Sequence, residues 1–426
     1  MRSMFSSLAI PNYRTWFIGV TISNIGQWMA RTAQAWLVLV VLTNGSSSAL
    51  GLLTAIQFLP ILLFGPYAGS IADRFPKRRI IMCTQTIGAL DAALLGTLAV
   101  TGQIELWMVG LLAFIDGAAG SFDGPARQAI VSEIVPPESL PNAIALNSTS
   151  FNSARLLGPG IAGLLIAMIG TGEVILLNTL SYLTLLVAVI LLKPAQMTPS
   201  PRRQGRGGVI EGLRYLRTRK DLMVFMACGL ALGGLGFNFQ ITNAVMATNE
   251  FGRGSGEFGA LGSIMGVGAL TAALLAARRA RPRLRYVLGG MVGYTVFMLW
   301  AAVSTNFGLF ALLQAPIGFF TITALVTGNT LVQTNSAPQM RGRMLAIWSL
   351  MIMGVAPLIS PLVGWIGDVI GPRATLLFGV ICVGLAVILI TTYVMRSHNL
   401  HLRISRDSGF PYLFVQQTPE RDVDDR

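Results

Sequence analysis

Charge is scarce in this chain. Of its 426 residues only 12% are Asp, Glu, Lys or Arg and 53% are hydrophobic, whereas a soluble domain carries roughly 25% charged residues. A water-soluble globule is excluded. Lysine is scarcer still: there are three, Lys77, Lys193 and Lys220, and none follows a glycine. A phosphate-cradling loop ending in Gly-Lys-Ser/Thr is therefore missing, and ATP is not expected as the energy source. Cys83, Cys228 and Cys382 each lie inside an apolar run without paired spacing, which supports neither a disulfide framework nor a zinc site. The two histidines, His398 and His401, fall in the tail. No metal or cofactor is expected, and without a hydrolase or nuclease motif the chain does not read as an enzyme.

What is present is a formal charge of +13 and long apolar runs. A nucleic-acid partner is not expected, because the basic residues sit in short loops between apolar runs rather than with exposed aromatics on a polar face. A helix of about 20 apolar residues crosses a bilayer. On that measure there are twelve spans: 15–42, 49–72, 80–101, 106–126, 140–169, 174–192, 222–248, 258–277, 286–304, 307–333, 344–366 and 374–395. The fold class is thus an all-α membrane protein of twelve transmembrane helices in two six-helix pseudo-repeat bundles.

Residues 1–14 form the N-terminus and 15–192 the first bundle. A Pro- and Arg-bearing linker, 193–221, precedes the second bundle, 222–396. The tail, 397–426, is expected to be partly disordered, from about Arg406 onward. The first span is too long and polar for a cleavable signal. Residues 209–217 space apolar positions at three and four, so they fit either a surface helix or a simple linker.

Of the 31 Lys and Arg, Arg31 and Arg155 lie within spans, and Arg253 and Arg373 lie on the side away from the N-terminus. All the others lie on the N-terminal side, which places both termini in the cytoplasm. A weak internal repeat supports two halves: Gly158-Pro159 with Gly163 in span 5 answers Ser360-Pro361 with Gly364 in span 11.

Between spans 2 and 3 stands Gly69-Ser70-Ile71-Ala72-Asp73-Arg74-Phe75-Pro76-Lys77-Arg78-Arg79. Gly69 permits close helix approach, Asp73 supplies a fixed negative charge, and Arg74, Arg78 and Arg79 anchor the turn on the cytoplasmic side. Lys77 is expected to matter less than Asp73, since neighbouring positive charges remain. This stretch resembles the signature loop of the major facilitator superfamily. Gly364-Trp365-Ile366-Gly367-Asp368 imitates its Gly-to-Asp spacing but falls on the outer side, and reads as a helix end.

Ionisable residues in mid-span cost roughly 2.5 to 3.5 kcal/mol each at a helix centre. Arg31, Asp91, Asp116 and Arg155 must therefore face partners or a wet cavity. Asn24, Gln27, Arg31 and Gln34 share one face of span 1, and Asp116, Gly120, Asp123 and Arg127 share a charged stripe of span 4. Span 7 contributes Asn238 and Asn243, and span 10 Thr323, Thr327 and Thr330. The superfamily resemblance implies that helices 1, 4, 7 and 10 line a central cavity. Hydrogen-bond glue between helices would use the same residue types. Asp91 sits in a small-residue seam with Gly88, Ala92 and Gly96, and its role stays open.

Arg155 precedes Gly158-Pro159 by one turn, in a stretch resembling the helix 5 signature of exporter branches, where Pro159 kinks the helix. Together with Asp123-Gly124-Pro125-Ala126-Arg127-Gln128 it is similar to the branch of bacterial siderophore (enterobactin) exporters and macrolide efflux pumps. The resemblance implies rocking of one half against the other, with Asp73 near Arg127 latching the inner gate. The expected function is export of an amphipathic small molecule from the bacterial inner membrane in exchange for protons, by a monomer. Asp116 is the first choice of proton carrier, with Arg31 close by. A proton-coupled nutrient importer, a lipid flippase and a non-transporting scaffold or sensor of the same fold are the alternatives.

Overall fold

The computed structural model describes residues 6–198, 209–236, 238–277, 282–397, 400–405 and 412–417. Eleven helices among them are long and apolar enough to cross a membrane. A twelfth, α1 (Pro11–Trp36, continued by a π turn over Leu37–Leu42), is long enough but carries the polar face predicted for it. Then follow α2 (Ser47–Arg74), α3 (Lys77–Val100), α4 (Leu106–Ile134), α5 (Leu140–Ile169) and α6 (Thr171–Leu191). The second set comprises α7 (Lys220–Glu250), α8 (Ser255–Ala277), α9 (Leu284–Val303), α10 (Phe307–Asn335), α11 (Arg341–Met353 and Ala356–Val369) and α12 (Pro372–Ser397). The twelve-helix architecture is as expected.

Local chemistry sets the ends. Pro11 opens α1, where its missing N–H costs no bond. Asn306 caps α10 by accepting from the Gly308 and Leu309 amides at 2.6 and 3.3 Å. Gly170, at φ 102°, ends α5 in a conformation that favours glycine. α4 runs eight residues beyond its expected end at Ala126, with Pro125 inside it. The reason is that Asp123 and Arg127 pair with each other, so the charged stripe continues as helix instead of ending it. α7 is interrupted by a π segment, Leu230–Gly236, and α11 breaks at Gly354, just before Pro357.

Helices α1 to α6 pack on one another, and α8, α9 and α10 form the equivalent cluster with α12 beside α9. The halves meet along two seams, α2 with α11 and α5 with α8. Both seams are built from small residues. A Cβ on Gly262 would lie 2.7 Å from the Pro159 Cβ, and one on Gly266 2.8 Å from the Leu156 Cα. Gly163 and Gly259 abut each other. Ser263 donates to the Leu156 carbonyl at 2.7 Å and Ser255 to the Gly163 carbonyl at 3.1 Å. At the end of the bundle far from the termini, Asn249 donates to the Gly45 carbonyl at 2.7 Å. Since α5 and α11 occupy equivalent places in the repeat, as do α2 and α8, the two seams are one arrangement used twice.

The segment 209–217 is a helix, Val209–Thr218. It docks on the start of α11, where Gly212 lies against Arg343, Met344 and Ile347 and Glu211 pairs with Arg343 at 2.8 Å. Leu400–Ser405 pairs antiparallel with Tyr412–Gln417, Leu400 opposite Gln417 and Ser405 opposite Tyr412, as alternating apolar residues favour. Pro199, Pro201, Arg202, Arg203 and Arg206 of the linker lie outside the described residues.

Candidate functional site

A cavity of about 750 Å³ lies within the first half, lined by all six of its helices. Its lining runs from Trp16, Val131 and Ile144, near the end that bears the termini, to Gln34 and Gln57 toward the distal end. The polar face of α1 and the stripe of α4 both contribute: Asn24, Gln27, Arg31, Gln34, Asp116, Gly120, Asp123 and Arg127 all line it.

Arg31 is exposed to this cavity. Its guanidinium lies 5.5 Å from the Trp28 ring and 5.9 Å from Phe58, and no carboxylate pairs with it among the described residues. An unpaired guanidinium held against aromatic faces suits a planar anion. Trp28 also supports Arg155, 5.7 Å from its ring. Gly158 makes this possible, because a Cβ there would lie 2.5 Å from the Trp28 Cβ. The small residue of the helix 5 signature thus accommodates the indole on which two arginines rest.

Asp116 accepts a hydrogen bond from the Tyr182 hydroxyl of α6 at 2.7 Å. Arg31 lines the same cavity but forms no ion pair with Asp116 among the described residues. The Tyr182 ring packs over Gly88, with Ala89 and Ala92, which explains the small-residue seam of α3. Asp91, on the same seam, lines the cavity, and among the described residues its Oδ1 is buried without a partner.

Asp123 is committed to structure. It accepts from Thr84 at 2.7 Å and Gln85 at 3.0 Å and pairs with Arg127. Arg127 also donates to Ser23 at 3.2 Å and Asn24 at 3.4 Å, tying α4 to α1. Gln34 accepts from Gln57 at 2.8 Å, and Gln27 donates to Ser23 at 3.3 Å.

The second half contributes none of the residues that line this cavity. Asn238 is buried and donates to the Leu235 carbonyl at 2.9 Å, Asn243 is buried within α7, and Thr323 and Thr327 are buried within α10. Arg155 borders a separate small void with Phe239 and Met265. Sequence reasoning missed Trp28, Phe58 and Tyr182. Of these only Trp28 had a signal, its place one turn from Arg31.

At the signature loop, a Cβ on Gly69 would meet nothing within 4 Å. The close approach expected of Gly69 is therefore not made, since the seams hold the halves together at the opposite end. Arg74 and Arg79 are exposed, and Arg78 donates to the Val189 and Ile190 carbonyls at 3.1 and 2.8 Å, capping α6. Lys77 is buried and pairs with Glu133 at 3.0 Å, so it is no spare anchor. The side chain of Asp73 lies outside the described residues.

Comparison with known proteins places this geometry. Residues 2–421 match the transmembrane secretion effector family of the major facilitator superfamily. The chain is 26% identical to the staphyloferrin A transporter of Staphylococcus aureus, over 82% of this chain and 87% of that one. It is also 26% identical to the multidrug efflux pump Tap of Mycolicibacterium fortuitum, over 83% and 88%. With the enterobactin exporter EntS of Shigella boydii it shares 24% identity, over 93% and 92%. In fold it is similar to a bacterial homologue of the human lysosomal transporter Spinster in an inward-facing, unoccupied conformation. That likeness has a TM-score of 0.70 at 15% identity and covers 90% of this chain and 98% of the other. The chain is a multi-pass membrane transporter, not an enzyme, and belongs to the transmembrane secretion effector family of the major facilitator superfamily.

Proposed function

We propose that this protein exports an amphipathic small molecule bearing an aromatic or anionic group, in exchange for protons, by rocking its two halves about a central site. The observation that carries this reading is the cavity that presents Arg31, backed by Trp28 and Phe58, together with Asp116 and Tyr182. The guanidinium attracts the anionic group, and the aromatic faces take the apolar part. Asp116 is the exchangeable carboxyl: on one side of the cycle it holds a proton, and on the other it releases it and is held by Tyr182.

The basic residues gathered on the terminal side support a cytoplasmic position for both termini in a bacterial cell. The cavity reaches toward the termini while the halves touch at the distal end, Asn249 on Gly45 and Asp368 on Ser47, which supports an inward-facing state that loads cargo for export. The relatives named as exporters and efflux pumps favour the outward direction. The protein acts as a monomer in this reading. The test is a deletion strain compared with its complemented parent. Greater susceptibility to amphipathic drugs, or retention of an iron-chelating product inside the cell, is expected in the deletion strain, and equal susceptibility with equal retention would contradict export.

A further inference from the structure

Gly364-x-x-x-Asp368, which the sequence marks only as a helix end, joins the two halves. Asp368, at the C-terminal end of α11, accepts from the backbone amides of Ser47 at 2.6 Å and Ser48 at 3.0 Å and from the Ser46 hydroxyl at 3.1 Å. These three groups are the start of α2, in the other half. A carboxylate on the first-turn amides of a helix satisfies donors that the helix cannot, and it meets the positive end of the helix dipole.

The glycine spacing is part of the device. Gly364 abuts the Ser47 carbonyl, with its Cβ position 3.0 Å from the Ser48 Cα, while Gly367 faces the Ser47 side chain at 2.8 Å. Gly51 abuts Ser360 one turn further in. Rising numbers on α2 meet falling numbers on α11, so the two helices run antiparallel, and each ends in Gly-x-x-x-Asp. At the distal end the glycine is in tight contact with the partner helix. At the terminal end a Cβ on Gly69 would meet open space.

We propose that Asp368 is the distal gate residue: it caps α2 while the cavity faces the termini and lets go when the cavity opens on the other side. The ion pairs Lys77–Glu133 and Asp123–Arg127 lie within the first half, Glu250–Arg373 lies within the second, and Glu211–Arg343 ties the linker helix to the second. None of these holds the halves together, so the Asp368 cap supplies a charged contact where those pairs supply none. On opening, water replaces it at the amides and the carboxylate, which keeps the latch reversible.

The inference rests on the alternating-access reading, and its test needs neither substrate nor a pH gradient. Spin labels are placed at Thr101→Cys and Thr305→Cys, exposed positions on the distal loops of opposite halves. Cys83, Cys228 and Cys382 are replaced by Ser, and the distance distribution is recorded by pulsed electron resonance in nanodiscs. Asp368→Asn keeps one acceptor and removes the charge. It is expected to raise the ratio of long to short distances by about tenfold, the size of one charge-assisted hydrogen bond. Ser46→Ala, which removes the hydroxyl donor together with its 3.3 Å contact to the Ala49 amide, is expected to move the ratio in the same direction by a smaller factor. Unchanged distributions in the two variants, or in Ser46→Ala alone where Asp368→Asn does not fold, overturn the proposal. Absence of transport by the unaltered protein would count against the transport reading and leave this result standing.

Discussion

Tyr182 on α6 donates its hydroxyl hydrogen to Asp116 on α4 at 2.7 Å, while its ring rests on Gly88 of α3. One side chain therefore links three helices and holds the acid of the charged stripe at the cavity wall. Tyr182→Phe keeps the ring and removes the donor. We expect a folded protein whose pH-driven efflux falls about tenfold, the effect of one hydrogen bond to a charged group, with substrate affinity within about twofold on that account. Efflux from proteoliposomes, with affinity measured separately, checks both parts.

Arg31 rests between Trp28 and Phe58 with no carboxylate partner among the described residues. Arg31→Ala is expected to weaken an anionic substrate by about tenfold or more and a cationic one by little, since a charge-assisted hydrogen bond contributes about 1.5 to 3 kcal/mol. Arg31→Lys keeps the charge but loses the planar fork, and should recover only part. Equilibrium binding of a matched anionic and cationic pair decides the point.

Lys77 and Glu133 form a pair at 3.0 Å whose side chains are both about 11% exposed. Removing one partner of a buried pair costs about 3 to 5 kcal/mol, while replacing both by apolar residues is often neutral. Lys77→Met should lower the melting temperature in detergent clearly, and adding Glu133→Leu should restore most of it. An unchanged melting temperature for Lys77→Met would return Lys77 to the role of a dispensable surface charge.

The orientation is open to labelling. With the native cysteines replaced, Thr305→Cys on the distal loop should react with an impermeant maleimide in intact cells. Arg214→Cys on the linker helix should react only after permeabilisation. The reverse pattern would invert the protein in its membrane.

The helices are legible in the sequence because hydropathy and length decide membrane spanning, and α1 is legible even with its polar stripe. Within the site, Arg31 and Asp116 stand out because a charge in mid-span is costly wherever it points. Their partners do not, since Trp28, Phe58 and Tyr182 read as ordinary apolar residues until the helices are packed. The stripes of α7 and α10 mislead for the opposite reason. Periodicity shows that Asn243 and Thr323 share a face with other polar groups, but it does not show whether that face meets water or a neighbouring helix, and here both residues are buried. Asp368 reads as a helix end because nothing in its own segment reveals that the start of α2 lies beside it.

Proton-driven export through the Arg31 and Asp116 cavity stands or falls with Asp116→Asn. In proteoliposomes with an imposed pH gradient, the unaltered protein should accumulate substrate against its concentration gradient. Asp116→Asn should bind the same substrate and exchange it at equilibrium, yet show no accumulation. If Asp116→Asn accumulates substrate as fully as the unaltered protein, the carboxyl that carries the proton is not Asp116, and exchange does not run through the Asp116–Tyr182 contact.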